Sequence, residues 1–362
     1  MGLPTFEPDA DIRCRDYRIG CIGAGFIMAD VHLAAYADAG FEIAAIASRT
    51  EANARGVAER WGIPVVHAEP KALIEDESIE VLDIAYPPHL QGALIAHAAD
   101  QPHIKGILAQ KPLAPTFAEA REIVERCEAK GKPLSVNQNM RYDQSMRVLK
   151  QILDAGLLGE VVVASIDMRA IPHWQEFLKS YERLTLLNMS VHHLDAMRFL
   201  FGEVAEIFCT TRADPRSGSH YLDGICAYTL KFQDGVMGVC LDDIWASPVG
   251  DDFESDIYIR WRVEGTEGVA KGTIGWPDYP DGSPSTLSFC CPATDGKWLT
   301  PSWDTMWFPH AFKGVMEQLQ YALAHDEAPL LSGRDNLKTM ALVEAAYQSI
   351  AQKRTIDPAT IK

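Results

Sequence analysis

Three groups of residues have the types and spacing to do chemistry. Lys111 stands in Gln110-Lys111-Pro112, directly after an apolar run that reads as a buried strand. The carboxyl end of a parallel strand faces the crevice where open α/β sheets bind ligands. There an ammonium can stabilise charge developing on an oxygen, or an amine can take a proton. Pro112 fixes the local backbone and admits a cis bond. The second group is Asn188, His192 and Asp195, spaced so that a helix places all three on one face, with Phe199 continuing the stripe into apolar packing. An imidazole titrates near neutral pH and can accept a hydroxyl proton, so His192 is the candidate general base, with Asn188 orienting it or its substrate. The roles of His192 and Lys111 are interchangeable at this level. A lone histidine here would be better explained by an interfacial hydrogen bond; Lys111 and the glycine turn favour the chemical reading.

The third group is the stretch Tyr17–His32, YRIGCIGAGFIMADVH, a short apolar strand running into Gly23-Ala24-Gly25 and then a helical pattern. This is the opening of a dinucleotide-binding βαβ unit. Gly23 permits the tight turn, Gly25 lets the backbone approach a pyrophosphate, and Phe26 and Ile27 begin the helix whose positive end receives it. Met28 occupies the third glycine position, which is expected to push the helix outward or shift its register. At the end of the second strand pattern stands Ser48-Arg49, where a carboxylate would bind both ribose hydroxyls. Arg49 can pair with a 2′-phosphate, which tilts the expectation slightly toward NADP and leaves NAD admissible.

These residues require a scaffold of alternating strands and helices. Strand patterns at Tyr17–Ile22, Glu42–Ala47, Val81–Ala85, Gly106–Ala109 and Leu134–Asn137 are separated by helical ones at Ala29–Ala39, Glu51–Trp61, Leu90–Ala99 and Phe117–Lys130. The fold class is therefore α/β, with an N-terminal Rossmann doubly wound parallel sheet over residues 1–140, the fold proper starting near residue 15. After a helix at Gln144–Ala155, strand patterns follow with few helices between them: Val161–Met168, Val204–Thr211, Gly224–Phe232, Gly235–Leu241, Ser255–Val263 and Gly268–Ile274. They predict a C-terminal α+β domain, 141–362, with a mostly antiparallel sheet. Helical patterns at Leu187–Leu200, His310–Ala324 and Arg334–Gln352 complete it.

Composition narrows the partners. A net charge of −17 over 362 residues disfavours nucleic acid and anionic membranes and leaves a small neutral substrate unopposed. No apolar run is long enough to span a bilayer and no signal pattern opens the chain, so a cytoplasmic location is expected. The eight cysteines form no C-x-x-C, so free thiols are expected and no metal site is. Tryptophans are dense in the second half, at 174, 245, 276, 298, 303 and 307. Most suit packing or a subunit interface. Trp174 and His310, with His193 beside the candidate base, are kept as substrate contacts.

Together GAGFIM, SRT, QKPLA, NQNMRYD, NMSVHHLD and EGTEG, in this order, resemble the family of glucose–fructose oxidoreductase, inositol dehydrogenase and the rhizopine-catabolism protein (Gfo/Idh/MocA), from Tyr17 to about Ile356. The resemblance implies a Rossmann domain followed by an open, largely antiparallel sheet whose exposed face serves oligomerisation, here as a homodimer or homotetramer. It implies NAD(P)-dependent oxidation or reduction of a sugar or polyol. Lys111 matches the lysine of the family's E-K-P motif and His192 the histidine of its D-x-x-x-H motif. Asn139 and Arg141 match the segment leading to the substrate beside the nicotinamide. Pro87 and His89 match the loop covering the cofactor, which Gln110, Lys111 and Pro112 also meet. Gln110 replaces the usual Glu, Asn188 the usual Asp, and Glu182-Arg183-Leu184 a glycine run. The family also admits redox-assisted hydrolysis or sugar interconversion on a tightly held nucleotide, and a non-enzymatic NAD(P)-binding sensor is a further alternative.

Overall fold

The computed structural model describes residues 3–170, 178, 181–217, 221–244, 257–275 and 282–362, which divide into two units. The first comprises Ala10–Asn139 and Phe308–Met340. Its strands are β1 (Ile19–Ile22), β2 (Ile43–Ala47), β3 (Val65–His67), β4 (Val81–Ile84), β5 (Gly106–Ala109) and β6 (Leu134–Val136). They pair in the order β3-β2-β1-β4-β5-β6, every pair parallel. Crossovers bury both faces of such a sheet, so its central strands are apolar without alternation. IGCI, VLDI and GILA are buried at every position, including the one charged residue, Asp83.

Between the strands run α1 (Leu33–Ala39), α2 (Glu51–Trp61), α3 (Pro70–Ile74), α4 (Pro88–Ala99) and α5 (Phe117–Ala129). The register shift expected at Met28 takes the form of a π-turn, Ile27–His32, that leads into α1, with Met28 fully buried. Residues 308–340, read from sequence as part of the second domain, cluster with this first unit. The reason is packing. The helix Ala311–His325 lays Leu319 and Leu323 over Gly106 of β5, where a Cβ would stand 2.8 Å from Leu323, and its Phe312 ring lies 4.9 Å from that of His32.

The second unit comprises Met1–Asp9, Met140–Trp307 and Ala341–Lys362. Its seven strands are β7 (Val161–Arg169), β8 (Val204–Arg212), β9 (Ile225–Phe232), β10 (Met237–Asp243), β11 (Tyr258–Gly265), β12 (Val269–Ile274) and β13 (Thr286–Cys290). The order is β13-β12-β11-β7-β10-β9-β8, antiparallel except for the β7–β10 pair. These strands alternate: Cys226, Tyr228, Leu230 and Phe232 of β9 are buried while the residues between them face outward. One face is therefore core and the other open. The helix α6 (Gln144–Asp154) meets β12 and β13 on the core side. A π-turn at Thr185–Ser190, in contact with β9 and β10, leads directly into α7 (Val191–Phe201). With Ala311–His325 as α8, the last helix is α9 (Gly333–Gln352). All eight cysteines are free, and no helix among the described residues is long and apolar enough to cross a membrane.

Candidate active site

The parallel register sets the first half of the site. Ile22 pairs with Ala47 and Ile84, Ile84 with Ala109, and Ala109 with Val136. Five strands thus end at one level, and the residues that follow them, Gly23, Ser48, Ala85, Gln110 and Asn137, emerge along one edge of the sheet. Gly23 turns there with φ 125°, and a Cβ on it would reach within 2.5 Å of the Ala85 carbonyl oxygen. Only glycine fits both demands. At Gly25 a Cβ would meet nothing within 4 Å, so the backbone ahead of Phe26 and Ile27 borders open space of the kind a pyrophosphate occupies.

At the end of β2, the Ser48 hydroxyl donates to the Thr50 carbonyl at 2.7 Å, which ties it into the local turn. Arg49 is exposed. Pro87, half-buried, stands at the N-cap of α4, and His89, the second residue of that helix, is exposed. Lys111 follows β5, and its bond to Pro112 is cis. Gln110 folds back so that its Oε1 accepts from the Lys111 N–H at 2.9 Å. Its Nε2 is buried with no protein partner among the described residues, as are both amide atoms of Gln138 beyond β6. Unmet buried donors on the edge that carries the glycine turn fit a polar ligand such as a dinucleotide. Desolvation pulls the Lys111 amine from an ordinary 10.5 down to about 7. Asn139, buried, ends a hydrogen-bonded chain. Its Nδ2 lies 3.2 Å from Asn137 Oδ1, Asn137 Nδ2 lies 3.0 Å from His32 Nε2, and His32 Nδ1 lies 2.6 Å from Asp83, which also accepts from the Tyr36 hydroxyl at 2.7 Å. His310 is half-buried ahead of α8.

The second unit carries Asn188, His192 and Asp195, pinned by three buried carboxylates. Asp223 accepts from the backbone N–H groups of Leu184 and Leu186 at 2.8 and 3.0 Å and from the Tyr347 hydroxyl at 2.7 Å, fixing the start of the π-turn that carries Asn188. Asp242 on β10 accepts from Ser190 Oγ, from the Tyr228 hydroxyl at 2.9 Å and from His193 Nδ1 at 2.8 Å. Asp195 accepts both arms of Arg141 at 2.6 Å. His192 lies between these anchors, buried, its ring edge-on to buried Trp307 at 5.9 Å between centroids. Asn188 is half-buried in the π-turn, so the wider turn, and no single α-helical face, sets its relation to His192 and Asp195. Arg141 and His193, expected at the substrate, are held by Asp195 and by Asp242, and His193 is fully buried. Trp174 falls outside the described residues. Sequence reading missed His32, Asp83, Asp223 and Asp242. The signal for two of them was an Asp inside an apolar strand pattern, Val81–Ile84 and Met237–Asp243.

Comparison with known proteins agrees with this geometry. The family model of the Gfo/Idh/MocA oxidoreductases, an NAD-binding Rossmann fold, matches residues 17–138, and that of the Gfo/Idh/MocA C-terminal domain matches 146–271. The chain belongs to the Gfo/Idh/MocA oxidoreductase family. It is 28% identical over 350 residues to D-apiose dehydrogenase of Rhizobium rhizogenes, across 93% of this chain and 96% of that one. To D-xylose 1-dehydrogenase (NADP(+)) 2 of Haloferax volcanii it is 23% identical over 311 residues, 85% and 89% of the two chains. The structure of an oxidoreductase from Agrobacterium radiobacter in complex with NAD+, L-tartaric acid and magnesium superposes with a TM-score of 0.79 at 26% identity, covering 95% of this chain and 99% of that one.

Two outcomes follow. Gly25→Ala should leave the melting temperature unchanged and weaken nucleotide binding, read by calorimetry, about tenfold, or 1.4 kcal/mol; unchanged affinity would remove Gly25 from the cofactor site. The folded protein holds the Lys111 amine near 7 and the unfolded chain near 10.5, so the ammonium destabilises the fold fully below pH 7, and the penalty fades as pH rises to 10.5. Lys111→Met in ligand-free protein should therefore raise the melting temperature below pH 7, with a gain that shrinks toward pH 10.5. A gain independent of pH would mean that the methionine acts through packing alone.

Proposed function

We propose that this chain is an NAD(P)-dependent dehydrogenase that moves hydride between a nicotinamide and a hydroxyl or carbonyl carbon of a sugar, polyol or sugar derivative. The observation that carries this reading is the desolvated Lys111 amine on the edge that also bears the Gly23–Gly25 turn. The names of the apiose and xylose relatives support the substrate class. The cofactor is held by the turn at Gly23, Gly25, Phe26 and Ile27, by Ser48 and Arg49 at the ribose, and by Pro87, His89, Gln110 and Pro112 toward the nicotinamide. With no carboxylate after β2 and the Ser48 hydroxyl engaged locally, Arg49 favours NADP modestly over NAD. His192 takes the hydroxyl proton as general base, Lys111 hydrogen-bonds the same oxygen and stabilises its developing charge, and Asn188 orients the sugar. Asn139 and His310 are placed at the substrate, while Arg141 and His193 serve through the carboxylates they bind. Near-ultraviolet absorbance of the reduced nicotinamide, followed over aldoses, polyols and sugar acids with each nucleotide, tests the reading. Turnover is expected with one sugar class, a loss of about a hundredfold or more in Lys111→Ala and His192→Ala with nucleotide affinity kept, and a weakened preference for NADP in Arg49→Ala. Full turnover in both alanine variants would sink the assignment.

We also propose that the open face of the seven-stranded sheet pairs with a second copy of the chain. One registered row across it reads Arg262, Ser165, Val239, Thr229 and Phe208, with Met237 exposed on the same strand as Val239. Exposed apolar side chains at Val239, Met237 and Phe208 among polar neighbours suit a subunit interface. Sedimentation should show a dimer or tetramer for the native chain and a folded monomer for Val239→Glu; a native monomer would overturn this.

A further inference from the structure

The turn that carries Lys111 has left the sheet. After Ala109 the backbone of Gln110 to Leu113 no longer runs alongside β6, and its carbonyls need other donors. One side chain supplies them. Gln91, fully buried one turn into α4, directs its Nε2 at the carbonyl oxygens of Gln110, Pro112 and Leu113, at 2.8, 2.9 and 2.9 Å. Its Oε1 accepts from the Gln110 N–H at 3.1 Å. Two amide hydrogens thus serve three carbonyls, on both sides of Lys111, and the amide oxygen closes the ring. We propose that Gln91 is the positioning residue for Lys111: it clamps the turn around the lysine and so fixes where the amine stands and how dry it is kept.

An apolar side chain of similar size at position 91 would bury three carbonyls unsatisfied, and the turn would have to move toward water to meet them. Lys111 would move with it. A packing role alone would let Gln91→Leu conserve the volume and leave the amine unchanged. The catalytic importance of this positioning rests on the dehydrogenase reading, but its first test does not. Competitive acetylation of ligand-free protein with acetic anhydride, with Lys111 labelling read by peptide mass spectrometry across pH, reports the titration of the amine itself. The native protein should show half-maximal reactivity near pH 7, and Gln91→Leu should move it toward the ordinary lysine range near 10.5. An unmoved midpoint in folded Gln91→Leu would overturn the proposal. Gln91→Asn, which keeps the amide but shortens its reach, serves if the leucine variant fails to fold, with the same shift expected and the same null shift fatal. The second readout is kinetic, on whichever sugar the panel identifies. Gln91→Leu should lower kcat at least tenfold with KM kept, and should cost nothing further in a Lys111→Met background. An equal loss in that background would also overturn it. A moved midpoint in a protein that turns over no sugar would leave the clamp standing and remove the dehydrogenase reading instead.

Discussion

Asp83, Asp195, Asp223 and Asp242 are all within about 1% of complete burial, and each accepts at least two hydrogen bonds from groups that belong to a chemistry-bearing segment. A buried carboxylate depends on the hydrogen bonds it does receive, and removing a partner from such a site costs about 3–5 kcal/mol. That penalty gives each cluster a single acceptable arrangement. Apolar side chains of the same volume would hold the elements together equally well but would tolerate a sliding or rotated helix. Around His192 the consequence is direct. Asp223 fixes the backbone before the π-turn, Asp242 fixes Ser190 and His193 at the start of α7, and Asp195 locks Arg141 beyond it. A ring whose neighbours on both sides are pinned has little freedom left except its own rotamer, and Trp307 stands edge-on to it. Such pinning is what a proton-transferring group at this position would need, since small displacements of a reacting group cost rate steeply.

The nucleotide half obeys a different constraint. Its functional residues come from four separate strand ends, and parallel register alone brings them to one edge. No single interaction aligns them. The strands are short, three to five residues, and their shared level is enforced by burial on both faces, which a shift by one residue would disrupt at every position. The same edge hosts the chain Asp83–His32–Asn137–Asn139, in which each donor faces an acceptor and the last amide is held at the boundary of the unit.

The strands at the centre of each sheet were readable from sequence because their patterns are strong. Gly106–Ala109 is recovered with its ends in place, and β9 and β10 to within two residues at either end. The misses share a cause. Val65–His67 has three residues, lies on an edge and is largely exposed, so it shows no periodicity, and α3 at Pro70–Ile74 is too short for one. The π-turns at Ile27–His32 and Thr185–Ser190 look α-helical in sequence, since inserting one residue per turn leaves the apolar pattern nearly intact; only Met28 hinted at the first. The return of residues 308–340 to the first unit depends on Leu319 and Leu323 finding Gly106, a long-range contact with no local signature. At the site, Lys111, His192 and the glycine turn were legible from residue type and position. Their supports were not, because a buried Asp or Gln reads as a surface residue until its partners are known.

Two departures from the family pattern gain a physical meaning from this arrangement. The usual Glu before the lysine is Gln110 here, and the usual Asp four residues before the histidine is Asn188. Desolvation by burial depresses the Lys111 amine to about 7. The Gln110 side chain reaches the Lys111 backbone N–H, a position where a glutamate would bring a negative charge into the turn. The neutral amide keeps the hydrogen bond and removes the charge. Gln91 follows the same rule, holding the turn by four bonds without adding charge to it. A lysine desolvated to about 7 could give or take a proton near neutral pH with little driving force against either direction. Asp195, Asp223 and Asp242 instead lie around the segment that carries His192, where they fix its backbone and neighbours. The turn at Lys111 is thus held by neutral amides, and burial there lowers the amine to about 7.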